Sequence, residues 1–193
     1  VTTADDEFLD AFLQEQGGAD VLAALASISP AQQASPGLRE RVLGAARVGG
    51  RLSRFSGVVS DLLDLPAPAA QALLDRLTDE SAWSPGLVPR MELLHVEGGP
   101  RVKGAITGFV RLGSGVSFPE HEHLGDEEVL ILQGSCVDSI DHRVSRAGDR
   151  VRMPCGTVHS FSVREGPDLV YLAVVGTGLR VNGQELLAHD LRL

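Results

Sequence analysis

The stretch GVSFPEHEHLGDEEVLILQG, Gly115–Gly134, decides how this chain is to be read. His121 and His123 stand two apart on an apparent strand, so both side chains project to one face and two imidazoles reach the same point. Glu127 follows four residues later. The run Glu128–Leu132 is short and apolar, and closes on a glycine. Asp126 and Glu128 flank Glu127, and alternation points them away from the face that it serves. A register slipped by one residue would put Glu128 in its place.

A second stretch, GDRVRMPCGTVH, Gly148–His159, supplies the other half of the constellation. Gly148-Asp149 makes a turn, and Pro154-Cys155-Gly156 bends the chain into the strand that carries His159. Three imidazole nitrogens and one carboxylate, from His121, His123, His159 and Glu127, form a donor set for one divalent ion: zinc, iron, manganese, nickel or copper, at about 2.0–2.2 Å. Cys136 and Cys155, the two cysteines, lie beside these positions and read as small buried thiols. His95, His142 and His189 have no matching partners and read as structural or surface residues.

Outward from the two stretches the pattern stays one of short apolar runs closed by Gly, Asp or Pro. Glu92–Glu97, Ala105–Leu112, Arg150–Met153, His159–Val163 and Leu169–Val175 each read as a strand. Closely spaced strands of this kind predict a sandwich or barrel. Before them the period is helical. Phe8, Leu9, Phe12 and Leu13, then Val21, Leu22, Leu25 and Ile28, recur at three and four positions. Ser35-Pro36 opens a further helix, with Ser as cap and Pro at the first position. Leu52, Phe55, Val58, Val59, Leu62 and Leu63 give another that stops before Pro66, and Ala69–Leu77 one more. Ser81–Pro89, with the single Trp and three turn formers, is where the period changes. The predicted division is thus a helical region, 1–84, and a β-barrel, 90–193.

A net charge of −9, with acid exceeding base in both halves, argues against direct nucleic-acid binding, since phosphate backbones reward Lys and Arg. It leaves open the binding of a DNA-binding protein. Two cysteines outside any CxxC pair make no disulfide framework. The longest apolar stretches fall far short of the roughly 20 residues of a spanning helix, and the first residues are acidic where a signal peptide is basic. The expectation is a cytoplasmic protein without membrane spans.

The two stretches read G-x5-H-x-H-x3-E-x6-G and G-x5-P-x-G-x2-H, and these resemble the two motifs of the cupin superfamily. The second motif usually ends in Asn four residues after its His. Val163 stands there in this chain, which implies a more apolar pocket. The fold implied is mainly β, a double-stranded β-helix (cupin or jelly-roll barrel) after an N-terminal α-helical region. The run from Phe118 to Gly134, with the helical arm, is similar to the ChrR-type anti-sigma factors and their cupin-only relatives over about Arg90–Gly178. That likeness implies a cupin that binds zinc and serves a response to an oxidant, an ECF-type sigma factor as partner, and a homodimer.

The family's sigma-binding domain usually holds zinc through a His followed by a Cys pair, whereas no His or Cys precedes His95 here. This N-terminus is either a zinc-free variant of that domain or a barrel-capping arm. Arg39, Arg41, Arg47, Arg51 and Arg54 cluster within it, as an exposed basic face or a partner surface. Two other classes stand beside the sensor: a dioxygenase- or isomerase-type enzyme using the same ligands, and an interaction module with a purely structural metal. The motifs supply no acid or base for catalysis beyond the ligands themselves.

Overall fold

In the computed structural model of the chain, residues 50 and 52–187 are described. The chain divides into two compact units, Val1–Gly44 and Ala45–Leu193, and every described residue belongs to the second. The helices expected around Phe8, Val21 and Ser35, the arginines from Arg39 to Arg51, and His189 lie outside the described residues. Among the described residues, no helix is long and apolar enough to cross a membrane.

Two helices come first, α1 (Ser56–Leu63) and α2 (Ala67–Arg76). The left-handed conformation of Asp64 ends α1, and Pro66-Ala67-Pro68 starts α2, because proline suits a first turn that needs no N–H. Twelve strands follow: β1 (Ser84–Pro85), β2 (Met91–His95), β3 (Ile106–Leu112), β4 (Ser117–His123), β5 (Glu127–Gln133), β6 (Ser135–Asp138), β7 (Val144–Arg146), β8 (Arg150–Met153), β9 (Val158–Val163), β10 (Leu169–Val175), β11 (Gly178–Val181) and β12 (Gln184–Leu187).

The strands pair, always antiparallel, into two six-stranded sheets, ordered β1-β2-β3-β10-β5-β8 and β12-β11-β4-β9-β6-β7. Alternation along the central strands of the first sheet sends side chains into two separate cores. Met91, Val110, Leu112, Ile131, Leu169, Tyr171, Ala173 and Val175 pack inward against Phe118, Val163 and Val181 of the second sheet. Leu94, Phe109, Leu130, Leu132, Val170 and Leu172 pack outward against Val59, Leu62, Leu63, Ala70 and Leu74 of the helices. With both faces covered, β10 reads as a continuous apolar run instead of an alternating one.

The turn-rich seam holds a 3-10 turn, Glu80–Ala82, followed by the buried Trp83. The Arg111 guanidinium lies 4.7 Å over the Trp83 ring and pairs with Glu80 and Glu92 at 2.6 and 2.7 Å. At the end of α1, Gly99 N–H donates to Leu63 O, and the Arg101 side chain and backbone N–H both donate to the Asp64 carboxylate. A Cβ on Gly99 would stand 2.1 Å from Asp64 O, so only glycine permits that approach.

Candidate metal centre

Strand β4 carries His121 and His123 on its inner face, and β9 lies beside it with His159 opposite His121. The turn at Pro154-Cys155-Gly156 fixes that neighbourhood. Gly156, at φ +82°, donates its N–H to His123 O, and the His123 N–H donates to Thr157 O. The Asp126 carboxylate accepts from Cys155 N–H at 2.9 Å, joining the β4–β5 turn to the same bend. Gly134, at φ +74°, closes β5 where a Cβ would meet Asp168 O at 2.7 Å.

The three imidazoles are buried, at 4% exposure for His121, none for His123 and 6% for His159. Their ring centroids lie 4.5–5.0 Å apart, and one ligand nitrogen from each falls within 4.8 Å of the others. His123 Nε2 and His159 Nε2 are 2.9 Å apart. Two nitrogens each about 2.0–2.1 Å from one ion stand roughly 2.9–3.4 Å apart for bond angles between a right angle and tetrahedral. The pair therefore already has the spacing of ligands on a shared ion.

The other ring nitrogens are held from outside. His159 Nδ1–H donates to Asp138 Oδ2 at 2.6 Å, and His121 Nδ1–H to Pro119 O at 3.0 Å. Each bond fixes the tautomer that leaves an Nε2 lone pair facing the cluster. Burial pushes the pKa of His121 and that of His123 down to about 4, so both rings are neutral at pH 7, as metal ligands must be. The neighbouring His121 and His159 add to the shift of His123.

Glu127 opens β5 across the barrel, 9% exposed, and burial raises its carboxyl to about 7. Its Oε2 lies 3.5 Å from His123 Nδ1, a buried nitrogen without a hydrogen-bond partner among the described residues. The carboxylate thus stands against the histidine cluster, outside the group whose ligand atoms all converge. Three buried histidines that can hold a metal ion, with a buried acid beside them that pairs with no Lys or Arg among the described residues, fit a divalent metal on donor chemistry alone.

Several other residues fall where the sequence puts them, and some do not. Glu128 points away and pairs with Arg150 and Arg152. His95 and His142 are exposed. Val163 is buried in the inner core. Cys155, expected to be a buried thiol, is exposed because it rides the tip of the β8–β9 turn, and Cys136 is half-buried. The motifs supply no acid or base beyond the ligands, but the fold brings two such groups in from outside them. Asp138 touches His159, and the Tyr171 phenol lines the same cavity, held well above the usual phenol range by burial and by Glu127. No motif spacing marks Asp138. Tyr171 was findable from alternation along Leu169–Val175.

Two antiparallel sheets closed around an inward histidine cluster define a cupin barrel with a site for a metal ion. The chain belongs to the ChrR cupin-like domain family, whose sequence profile matches residues 76–176. No curated protein matches it in sequence. Among solved structures it is similar to a chain of the Rhodobacter sphaeroides SigE complex with the anti-sigma ChrR, at 22% identity and a TM-score of 0.50, over 82% of this chain and 76% of that one. It is also similar to an acetylacetone dioxygenase from Acinetobacter johnsonii, at 13% identity and a TM-score of 0.51, over 58% of this chain and 83% of that one. Likenesses at these identities establish the fold.

Proposed function

We propose that the chain is a ChrR-like sensory protein in transcription control, whose barrel holds one divalent ion through His121, His123, His159 and Glu127. The observation that carries this reading is the convergence of three buried imidazoles inside a ChrR-family barrel. Zinc suits the nitrogen-rich set, with iron, manganese or nickel as the alternatives. The ion supplies a Lewis-acid centre and ties β4, β5 and β9 together, so a ligand or oxidant that disturbs it alters the barrel. An ECF-type sigma factor is the partner this reading assigns, with a homodimer as the assembly and the cytoplasm as its place.

The test is co-purification of the metal-loaded full chain with the sigma factors of its own source, before and after chelation or oxidant treatment. A complex whose stability changes with metal or oxidant supports the reading. Failure to associate in either state removes the partner.

A metal-dependent enzyme acting on a small molecule is the second reading, favoured by the Tyr171 phenol and the cavity beside His121. Oxygen consumption by iron-loaded protein with an added substrate would put it first.

A further inference from the structure

The barrel interior is not filled. A cavity of about 440 Å³ lies between the two sheets, bordered by the histidine cluster and by apolar side chains such as Met91, Ile106, Val110 and Ile131. An apolar hole of about 150 Å³ already takes up benzene, so this one has room for roughly two rings. Leu87 and Ile140, which stand 50% and 58% exposed, also line it. Exposed apolar side chains bordering an apolar hole favour entry of an apolar body.

One wall is aromatic. The Phe118 and Phe161 rings stack with centroids 5.5 Å apart, and Phe161 meets the Tyr171 ring edge-on at 6.2 Å. All three residues line the cavity. Phe118 also stands edge-on to the His121 ring at 4.9 Å, so the wall reaches the histidines. A flat ring packs on such a wall in the stacked or edge-on geometry that aromatic pairs prefer.

The charged side chains that line the cavity are engaged or stand in water. Asp138 accepts from His159 Nδ1–H with one carboxylate oxygen and from Ile140 N–H with the other, at 2.6 and 2.7 Å. Arg150 and Arg152 both pair with Glu128, which points away from the site. Asp141, Arg143 and His95 are exposed, and the Asp141 carboxylate accepts from Arg143 N–H. Glu127 stands against His123. Imidazoles that bind a metal are neutral. A divalent ion among them thus meets two carboxylates, those of Glu127 and Asp138, and no charge is left over for a guest to neutralise. An ion that entered would give up its water and gain no partner.

We propose that this cavity binds a neutral apolar molecule of about two rings, lying against the wall of Phe118, Phe161 and Tyr171. The preference for a neutral guest over an ion rests on the metal reading above, whereas the apolar walls are present with or without the ion.

The experiment is fluorescence titration of the full chain, zinc-loaded and stripped, with the neutral probe N-phenylnaphthylamine, followed by its displacement with methylnaphthalene, naphthoate and naphthylmethylammonium. The probe should bind at about one per chain, and methylnaphthalene should displace it from the zinc-loaded chain about tenfold or more tighter than either ion. Ala173→Leu, which puts a larger side chain on the cavity wall, should weaken the probe about tenfold or more. Phe161→Leu, a milder change at a half-buried position, should weaken it severalfold by removing the central ring of the wall, and circular dichroism checks that each variant folds. Either ion displacing the probe as well as methylnaphthalene does, or full probe affinity in the folded variants, overturns the proposal. So does probe binding that is lost when the zinc is stripped. A chain that takes up no divalent ion fails the metal reading itself, yet should still bind the probe; absence of probe binding from both forms fails the proposal.

Discussion

His159 and Asp138 stand Nδ1 to Oδ2 at 2.6 Å, on neighbouring strands, with 5% and 16% of their side chains exposed. The carboxylate holds the imidazole in the tautomer whose Nε2 faces His123. An acid in this position raises the basicity of the ligand it grips. Asp138→Asn should therefore lower metal affinity about 10- to 100-fold without emptying the site at high metal. Competition against a chelator measures this, and unchanged affinity would make Asp138 a purely structural neighbour.

Position, not residue type, should decide which histidines matter. His95→Ala and His142→Ala remove exposed rings, and each should leave metal content at the wild-type level. Equal loss from these and from His121→Ala would undo the ligand assignment.

In metal-free protein the pH dependence follows from burial. His121 and His123 sit at about 4 in the fold against a usual 6.5. Below 6.5 the unfolded chain therefore takes up protons that the native state refuses, and stability falls as pH drops toward 4. Glu127 acts oppositely. At about 7 against 4.5, it lowers stability as pH rises through that window. Two groups outweigh one, so urea midpoints of the stripped protein should peak near pH 6.5 and decline toward pH 5. Glu127→Gln should raise the midpoint above pH 7. A flat profile would mean the cluster is solvated.

The outer core makes the helices part of the barrel's stability. Phe109, which is fully buried between the first sheet and the helices, should cost about 3–5 kcal/mol as Phe109→Ala. Gly99→Ala should also destabilise, because its Cβ would collide with Asp64 O. Denaturant titration reads both, and a loss under 1 kcal/mol at Phe109 would mean that the helices pack only loosely.

The strands legible in the sequence were those with apolar runs, such as Leu169–Val175, and those around the two motifs. Strands β6, β7, β11 and β12 escaped because each is four residues or fewer, carries at most two apolar side chains and lies outside both motifs. With β6 unseen, Asp138 had no strand to place it beside His159. The helical period at Val59, Leu62 and Leu63 showed an apolar face but not what covers it. That face packs on the far side of the sheet from the site, a contact no local pattern encodes. The histidines were readable because turns and alternation fix them locally. The open cavity was not, since it depends on how two sheets fill the space between them.

The most direct test of the central claim is elemental analysis of the full chain purified without added metal, beside His121→Ala/His159→Ala prepared identically. The account predicts about one divalent ion per chain in the wild type and loss of most of it in the double variant, with the fold retained by circular dichroism. A folded wild-type chain that neither carries nor takes up a divalent ion, or a double variant that keeps its metal, would contradict it.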